Sequence, residues 1–209
     1  KTSAYLFSVI ACSVMSGLFS NNVVANELPF AIAIHGGAGA ISQSKMTTEM
    51  RESYESTLKQ AVNAGYDLLE QGKSSQQAII AAIQILEDSP LFNAGKGAVY
   101  TFDGEHELDA SIMNGKTLNA GAVSGVKTVK SPIALAEKVM EESVHVMLSG
   151  QGAELFAKNQ GLALVENSYF NTDKRYQSLL KAKQKLIEQE KELKDFHNMK
   201  KSKDNASLS

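Results

Sequence analysis

Glu107-Leu108-Asp109-Ala110-Ser111-Ile112-Met113 is followed, after Asn114-Gly115, by Ala120-Gly121-Ala122-Val123-Ser124-Gly125-Val126. Both are short apolar runs set off by glycines, as is Ala98 to Phe102 before them. The three predict successive strands with tight turns at Asp103-Gly104 and Asn114-Gly115. Upstream the period changes. Met50, Tyr54, Leu58, Val62 and Leu69 recur mostly at helical spacing between Met46 and Gln71, and Gly72 supplies a stop. Ser74 or Ser75 caps a second helix whose apolar face includes Ile79, Ile83 and Leu86. The turn between these helices is short, which packs them side by side. Before them, Phe30-Ala31-Ile32-Ala33-Ile34 is a continuous apolar run that suits a strand buried on both faces. Downstream, Ser131-Pro132 opens a helix with proline at its first position and Ile133 to Met140 as its body. Val144 to Leu148 reads as a strand end, and Gly152 to Ala157 as the start of a short helix that Gly161 closes. Thr172 caps a helix running to about Phe196. The order is strand, helix pair, several strands, helices, tail. It implies a layered α/β protein with a mixed or antiparallel sheet, not an alternating doubly wound one.

The 209 residues suffice for one domain with a sizeable core. Hydrophobic residues make up 43% and charged residues 21%, ordinary for a globular protein. A formal net charge of -2 gives no global case for nucleic acid as a partner. Cys12 is the single cysteine, so the chain holds no internal disulfide. Residues 1–25 read as a targeting segment. Lys1 is a short basic start, Tyr5 to Phe19 is apolar and small, and Val23-Val24-Ala25 sets small residues before a cut at Ala25/Asn26. The run is too short and too interrupted to be a good membrane span. Export to the periplasm is expected, with no membrane partner; the alternative is a lipid anchor through Cys12, in the box Val9-Ile10-Ala11-Cys12. Beyond Tyr169 the chain is mostly Lys, Gln and Glu, with one narrow apolar stripe of Tyr176, Leu179, Leu180, Leu186, Ile187 and Leu193. Interleaved Glu188, Glu190, Glu192 and Asp195 make this a solvated helix face, and Lys200 to Ser209 is expected to be disordered. The parse is a signal peptide over 1–25, a globular portion over 26–170, and a tail helix with a mobile linker over 171–209.

His35-Gly36-Gly37-Ala38-Gly39 follows the first apolar run. Glycines there let backbone N–H groups approach a ligand closely, or simply make a tight turn. An esterase oxyanion loop of this type would need a G-x-S-x-G nucleophile turn, and none is present. Neither nucleotide-binding glycine pattern occurs, since Gly95-Lys96 is followed by Gly97. Asn93, between the helix pair and the strands, carries an amide that both donates and accepts, suited to holding a water or a neighbouring loop. Glu87 and Asp88 with nearby carbonyls suggest a hard-cation site or an ordinary acidic helix end. His106 with Asp109 suggests a base and its orienting acid, but their surroundings read as loop and strand edge. Ser42, Ser44 and Ser111 lack a base at any recognisable spacing, so no nucleophile–base unit is visible. The active-site-like turns and the missing nucleophile together read as one half of an enzyme.

Five runs in this order resemble the plant-type L-asparaginase/isoaspartyl peptidase family of N-terminal nucleophile hydrolases. They are Ala33-Ile34-His35-Gly36-Gly37-Ala38-Gly39-Ala40, Leu91-Phe92-Asn93-Ala94-Gly95-Lys96-Gly97-Ala98-Val99, Glu107 to Met113, Ala120 to Val126, and His145-Val146-Met147-Leu148, within residues 30–180. The resemblance implies the α-subunit half of a four-layer αββα sandwich, whose precursor cuts itself. It implies an amidohydrolase and threonine peptidase acting on β-aspartyl dipeptides and L-asparagine, active only with a β subunit from the same precursor. The nucleophile would be a Thr just after Ser209, so no catalytic residue is expected in this chain. Asn93 would border that nucleophile, with His35, Gly36 and Gly37 close by and influencing self-cleavage. No cofactor is required. A structural sodium would take main-chain oxygens of Leu86, Glu87, Ser89, Phe92, Ala94 and Lys96; Lys96 departs from an apolar residue in relatives. A second αβ unit would complete a heterotetramer. The alternatives are a glycosylasparaginase, or an inactive truncated binding protein of the same fold.

Overall fold

The computed structural model describes residues 30–37 and 46–206, with side chains only as far as His197. The chain divides at Phe30, and everything below concerns the unit from Ala31 onward. The expected signal peptide, with Cys12, and residues 207–209 lie outside the described residues.

Helix α1 spans Thr48–Glu70, opened by the Thr47 hydroxyl, which accepts the Met50 N–H at 3.2 Å. Helix α2 spans Ser75–Glu87. Ser74 and Gln77 cap it reciprocally, each side chain accepting the other's backbone N–H at 3.2 and 3.1 Å. The two lie side by side as expected, closest where small residues meet: Ala61, Ala78 and Ala82 are buried, and a Cβ on Gly65 would lie 2.9 Å from the Ala78 carbonyl and 2.4 Å from Ile32. Residues 31–34 are not the strand their composition predicted. They pair with no strand among the described residues, and Ile32 and Ile34 are half-buried while Ala31 and Ala33 are exposed. The run is therefore covered on one side only, by α1.

Strand β1 (Leu108–Met113) pairs antiparallel with β2 (Ala120–Val126), and β2 pairs parallel with β3 (Met147–Ser149). This is the mixed sheet expected. The hairpin connection is longer than a two-residue turn, however: Asn114 Oδ1 accepts the Lys116 and Thr117 N–H groups, and the Asn114 carbonyl accepts from Leu118. Ala98 to Phe102 is also not a strand. Three of its five backbone donors are taken locally, Ala98 N–H by the Gly95 carbonyl, Val99 N–H by the Asn93 side chain and Thr101 N–H by the Glu105 carbonyl, which leaves too few for a continuous ladder.

Helix α3 (Pro132–Glu142) lies directly on the sheet. A Cβ on Gly121 of β2 would sit 2.1 Å from the Ala136 carbonyl, so only glycine allows this approach. Around that contact Val123, Val126, Val129, Ile133, Leu135, Val139 and Phe170 form the core, closed at one end by Ala153 and Ala157 of α4 (Gly150–Asn159). The opposite face of β1 is exposed at Asp109, Ser111 and Met113. The molecule is thus α/β: a small mixed sheet covered by helices on one face.

Helix α5 spans Asp173–Ala206. The tail expected to be disordered from Lys200 is helical as far as Ala206. No Gly or Pro interrupts the helix, and Lys, Glu, Gln and Leu are good helix formers that propagate a helix once begun. No helix among the described residues is long and apolar enough to cross a membrane.

The α3–β2 contact makes a direct test. Gly121→Ala should destabilise the protein by about 1–3 kcal/mol through overpacking. Gly115→Ala, where a Cβ meets nothing within 4 Å, should change it by less than about 0.5 kcal/mol. Urea unfolding of both variants checks this; equal effects would contradict it.

Candidate active site

The loop from Asp88 to Val99 leaves α2 and returns across itself. Gly95 has φ +47°, and a Cβ there would meet the Glu87 carbonyl at 2.3 Å; one on Gly97 would meet the Phe92 carbonyl at 2.0 Å. Both glycines are required by backbone crossing backbone. Phe92 is buried at the crossing, edge-on to Tyr54 with ring centroids 5.5 Å apart. The Tyr54 hydroxyl donates to the Leu91 carbonyl at 2.9 Å.

Asn93 stands exposed on this loop. Its Oδ1 accepts the Val99 N–H at 2.9 Å, which fixes the rotamer and leaves the NH2 branch as a donor. Asn93, Ala94, Gly95, Val99, Glu107 and Asp109 line a cleft of about 280 Å³. Glu87 also lines it, and its acids are engaged: Glu107 pairs with Lys127 at 3.5 Å, Asp109 accepts the Gly125 N–H at 2.9 Å at the bulge in β2, and Glu87 accepts from the start of α3. Lys127 also holds Glu105, and that hydrogen bond raises the Lys127 pKa.

The His35-Gly36-Gly37 turn packs against the same loop. A Cβ on Gly36 would be 3.3 Å from the Phe92 ring and 3.2 Å from Leu58. His35 is exposed, and its Nδ1 accepts the Gly37 N–H at 3.1 Å. The structure therefore brings His35, Gly36 and Gly37 beside Phe92, the neighbour of Asn93. Ala38, Gly39, Ala40, Ser42 and Ser44 lie outside the described residues.

His106 is fully buried. Its Nδ1 faces the Val99 carbonyl and its Nε2 faces Asn171, each at 3.1 Å. Asn167 brackets its backbone, accepting the His106 N–H and donating to the His106 and Lys127 carbonyls. Asp109 is no partner of it, so the histidine is a structural pin. Among the described residues no Ser or Thr hydroxyl is hydrogen-bonded to a histidine ring; Ser143 exchanges bonds only with the His145 backbone, and Ser111 lies on the exposed face of β1.

Leu86 and Glu87 end α2, and Ser89, Phe92, Ala94 and Lys96 belong to the crossing loop that follows. Their donor set is carbonyl oxygen alone, which suits a hard cation. The Leu86 carbonyl accepts from the Asp88 and Ser89 N–H groups, while the Ala94 carbonyl accepts the Gly97 N–H at 3.0 Å and retains a lone pair. The loop's two ends meet where Glu87 touches Gly95, so the residues fit such an ion. The Lys96 ammonium turns away to the Tyr169 ring, 5.4 Å from its centroid. Among the described residues no group of three His, Cys, Asp or Glu could hold a metal.

Sequence reasoning missed what Glu87 does. Its carboxylate is buried at the start of α3, accepting the Ile133 N–H at 2.9 Å and the Ser131 hydroxyl at 2.6 Å. Ser131, expected to cap α3, makes no cap bond of its own. Burial pushes the Glu87 carboxyl up to about 7, against the lowering effect of those two hydrogen bonds.

Residues 28–208 match the family model described as asparaginase. The chain is 51% identical over 152 residues to an isoaspartyl peptidase of Salmonella typhimurium, covering 73% of this chain and 49% of that protein. It is 48% identical over 152 residues to an isoaspartyl peptidase of Escherichia coli, covering 73% and 47%. It is 44% identical over 160 residues to a plant-type L-asparaginase of Pyrococcus abyssi, covering 77% and 50%. The chain spans about half the length of the curated relatives it matches.

Because the folded Glu87 value of about 7 exceeds the ordinary 4.5, the fold binds a proton more tightly than the unfolded chain between them. The resulting stabilisation is complete below pH 4.5 and is lost as pH rises through 7. Relative to Glu87→Gln, the unfolding free energy of the wild type should fall by on the order of 3 kcal/mol from pH 4 to pH 8. Urea titrations at both pH values check this; a pH-independent difference would contradict it.

Proposed function

The chain belongs to the asparaginase family, and we propose that it is the α portion of an isoaspartyl peptidase/L-asparaginase whose nucleophile lies on a β portion of the same precursor. What carries the proposal is the match to proteins that are themselves isoaspartyl peptidases and plant-type L-asparaginases, along about half their length. The absence of a nucleophile–base pair among the described residues accords with it. So does the uncovered sheet face: Met113 of β1 and Met147 of β3 on that face are 58% and 54% exposed. A second sheet packed there would complete the four-layer αββα sandwich, with α3 and α4 as one outer layer.

In the proposed reaction the hydroxyl of an N-terminal Thr attacks the side-chain amide of asparagine, or the β-aspartyl carbonyl of a dipeptide. The Thr α-amine, with a pKa near neutral, takes the hydroxyl proton. The C–N bond breaks, and ammonia or the second amino acid leaves with that proton, giving an aspartyl ester. Water then attacks the ester, releases aspartate and restores the Thr. This chain supplies positioning. Asn93, locked by Val99, presents its NH2 donor beside the nucleophile, where a charged oxygen or an ordered water needs one. The His35-Gly36-Gly37 turn, wedged on Phe92, bounds the same region and shapes self-cleavage. A sodium held by the carbonyls of the 86–96 loop would keep that loop closed. Export of the precursor and assembly of two αβ units complete the proposal.

The longer open reading frame containing this chain should yield two fragments that together release aspartate from β-Asp-Leu and from asparagine, and little from glycosyl-asparagine. An enzyme-coupled aspartate assay measures all three. An intact, inactive product overturns the proposal, and preference for glycosyl-asparagine would assign the sibling activity instead.

A further inference from the structure

The loop that carries Asn93 takes little support from regular secondary structure. Side chains from elsewhere hold three of its carbonyls. Tyr54 of α1 donates to Leu91 at 2.9 Å, His106 faces Val99 at 3.1 Å, and Arg175 of α5 donates its Nε–H to Gly97 at 2.7 Å. The last is the shortest of these bonds and carries a charge, the type that contributes most. It also acts at the crossing point, because the Gly97 backbone lies against the Phe92 carbonyl. Phe92 in turn meets Gly36 on one side and adjoins Asn93 on the other. Arg175 is half-buried there, whereas most of α5 is exposed. The first turn of α5 is docked by its neighbours as well: the Tyr176 ring is 6.0 Å from Tyr100, and the Lys174 ammonium is 3.3 Å from the Tyr54 hydroxyl.

We propose that Arg175 is a positioning residue, which through Gly97 and Phe92 sets the orientation of the Asn93 loop. It touches no reacting atom. Its contribution to self-cleavage and turnover rests on the functional reading above; its hold on the loop does not. The chemistry that defines it is an N–H donor four bonds along the side chain from Cα. Gln places its Nε2 at that same reach, while Met has similar length and no donor.

Arg175→Met and Arg175→Gln are made in the full-length precursor. Amide exchange of the 91–99 peptide is followed by mass spectrometry, alongside the half-time of precursor cleavage, kcat and KM on β-Asp-Leu, and melting temperature. The Met variant should exchange faster in 91–99, cleave about ten-fold more slowly and lose about ten-fold in kcat, with KM changed by less than about three-fold. The Gln variant should recover exchange and both rates to within about three-fold of wild type. Wild-type exchange in the Met variant overturns the proposal, as does a Gln variant as impaired as Met. If the Met variant melts early, the Gln variant decides by the same criteria. If the wild-type precursor neither cleaves nor turns over, the functional reading has failed, and the exchange comparison alone supports or overturns the hold of Arg175 on the loop.

Discussion

A buried carboxylate joins the two halves of the described structure. Glu87 ends α2, yet its oxygens accept the Ile133 N–H and the Ser131 hydroxyl at the start of α3. An acid is poorly placed at the C-terminus of its own helix, and well placed at the N-terminus of another, where unpaired N–H groups and the helix dipole favour negative charge. Its desolvation dominates, so near neutral pH the group is close to half protonated. Either form can serve: the ionised group accepts both bonds, and the protonated group can keep the Ile133 bond while donating to Ser131. From this residue the backbone turns into the crossing loop, whose Gly95 lies on the Glu87 carbonyl. One residue thus sets both where α3 lies and where the Asn93 loop begins.

The consequences run outward in two directions. Toward the sheet, fixing the start of α3 fixes its passage over Gly121, and the core packs around that contact. Toward the loop, the crossing at Gly95 and Gly97 leaves no room for side chains and hands Asn93 to the cleft. The His35-Gly36-Gly37 turn, far away in the chain, reaches the same place by packing Gly36 on Phe92.

Local signals were legible and tertiary ones were not. The cap at Ser74, Pro132 at the start of α3 and the β1–β2 pair could be read because each is decided within a few residues. Ala98 to Phe102 has strand-like composition, but Asn93, Gly95 and Glu105 take its hydrogen bonds, a competition that composition does not record. Phe30 to Ile34 looks buried on both faces, but the described structure covers one. The tail from Lys200 has no apolar periodicity and so reads as disordered, although nothing in it breaks a helix before Ala206. Of the candidate site, the glycines and Asn93 stood out because such residues are chosen for backbone geometry. The parts played by Glu87, Arg175 and Asn167 depend on partners 40 to 78 positions away, and no short-range signal marks such pairs.

The described residues hold a shaped loop, a positioned amide and an open sheet face, without a nucleophile and base together. On the function proposed above, these are the marks of a portion that positions rather than reacts. N-terminal sequencing of the second fragment from the full-length precursor tests this most directly. The account predicts Thr as the first residue of that fragment. A second fragment beginning with any residue lacking a nucleophilic side chain would contradict it.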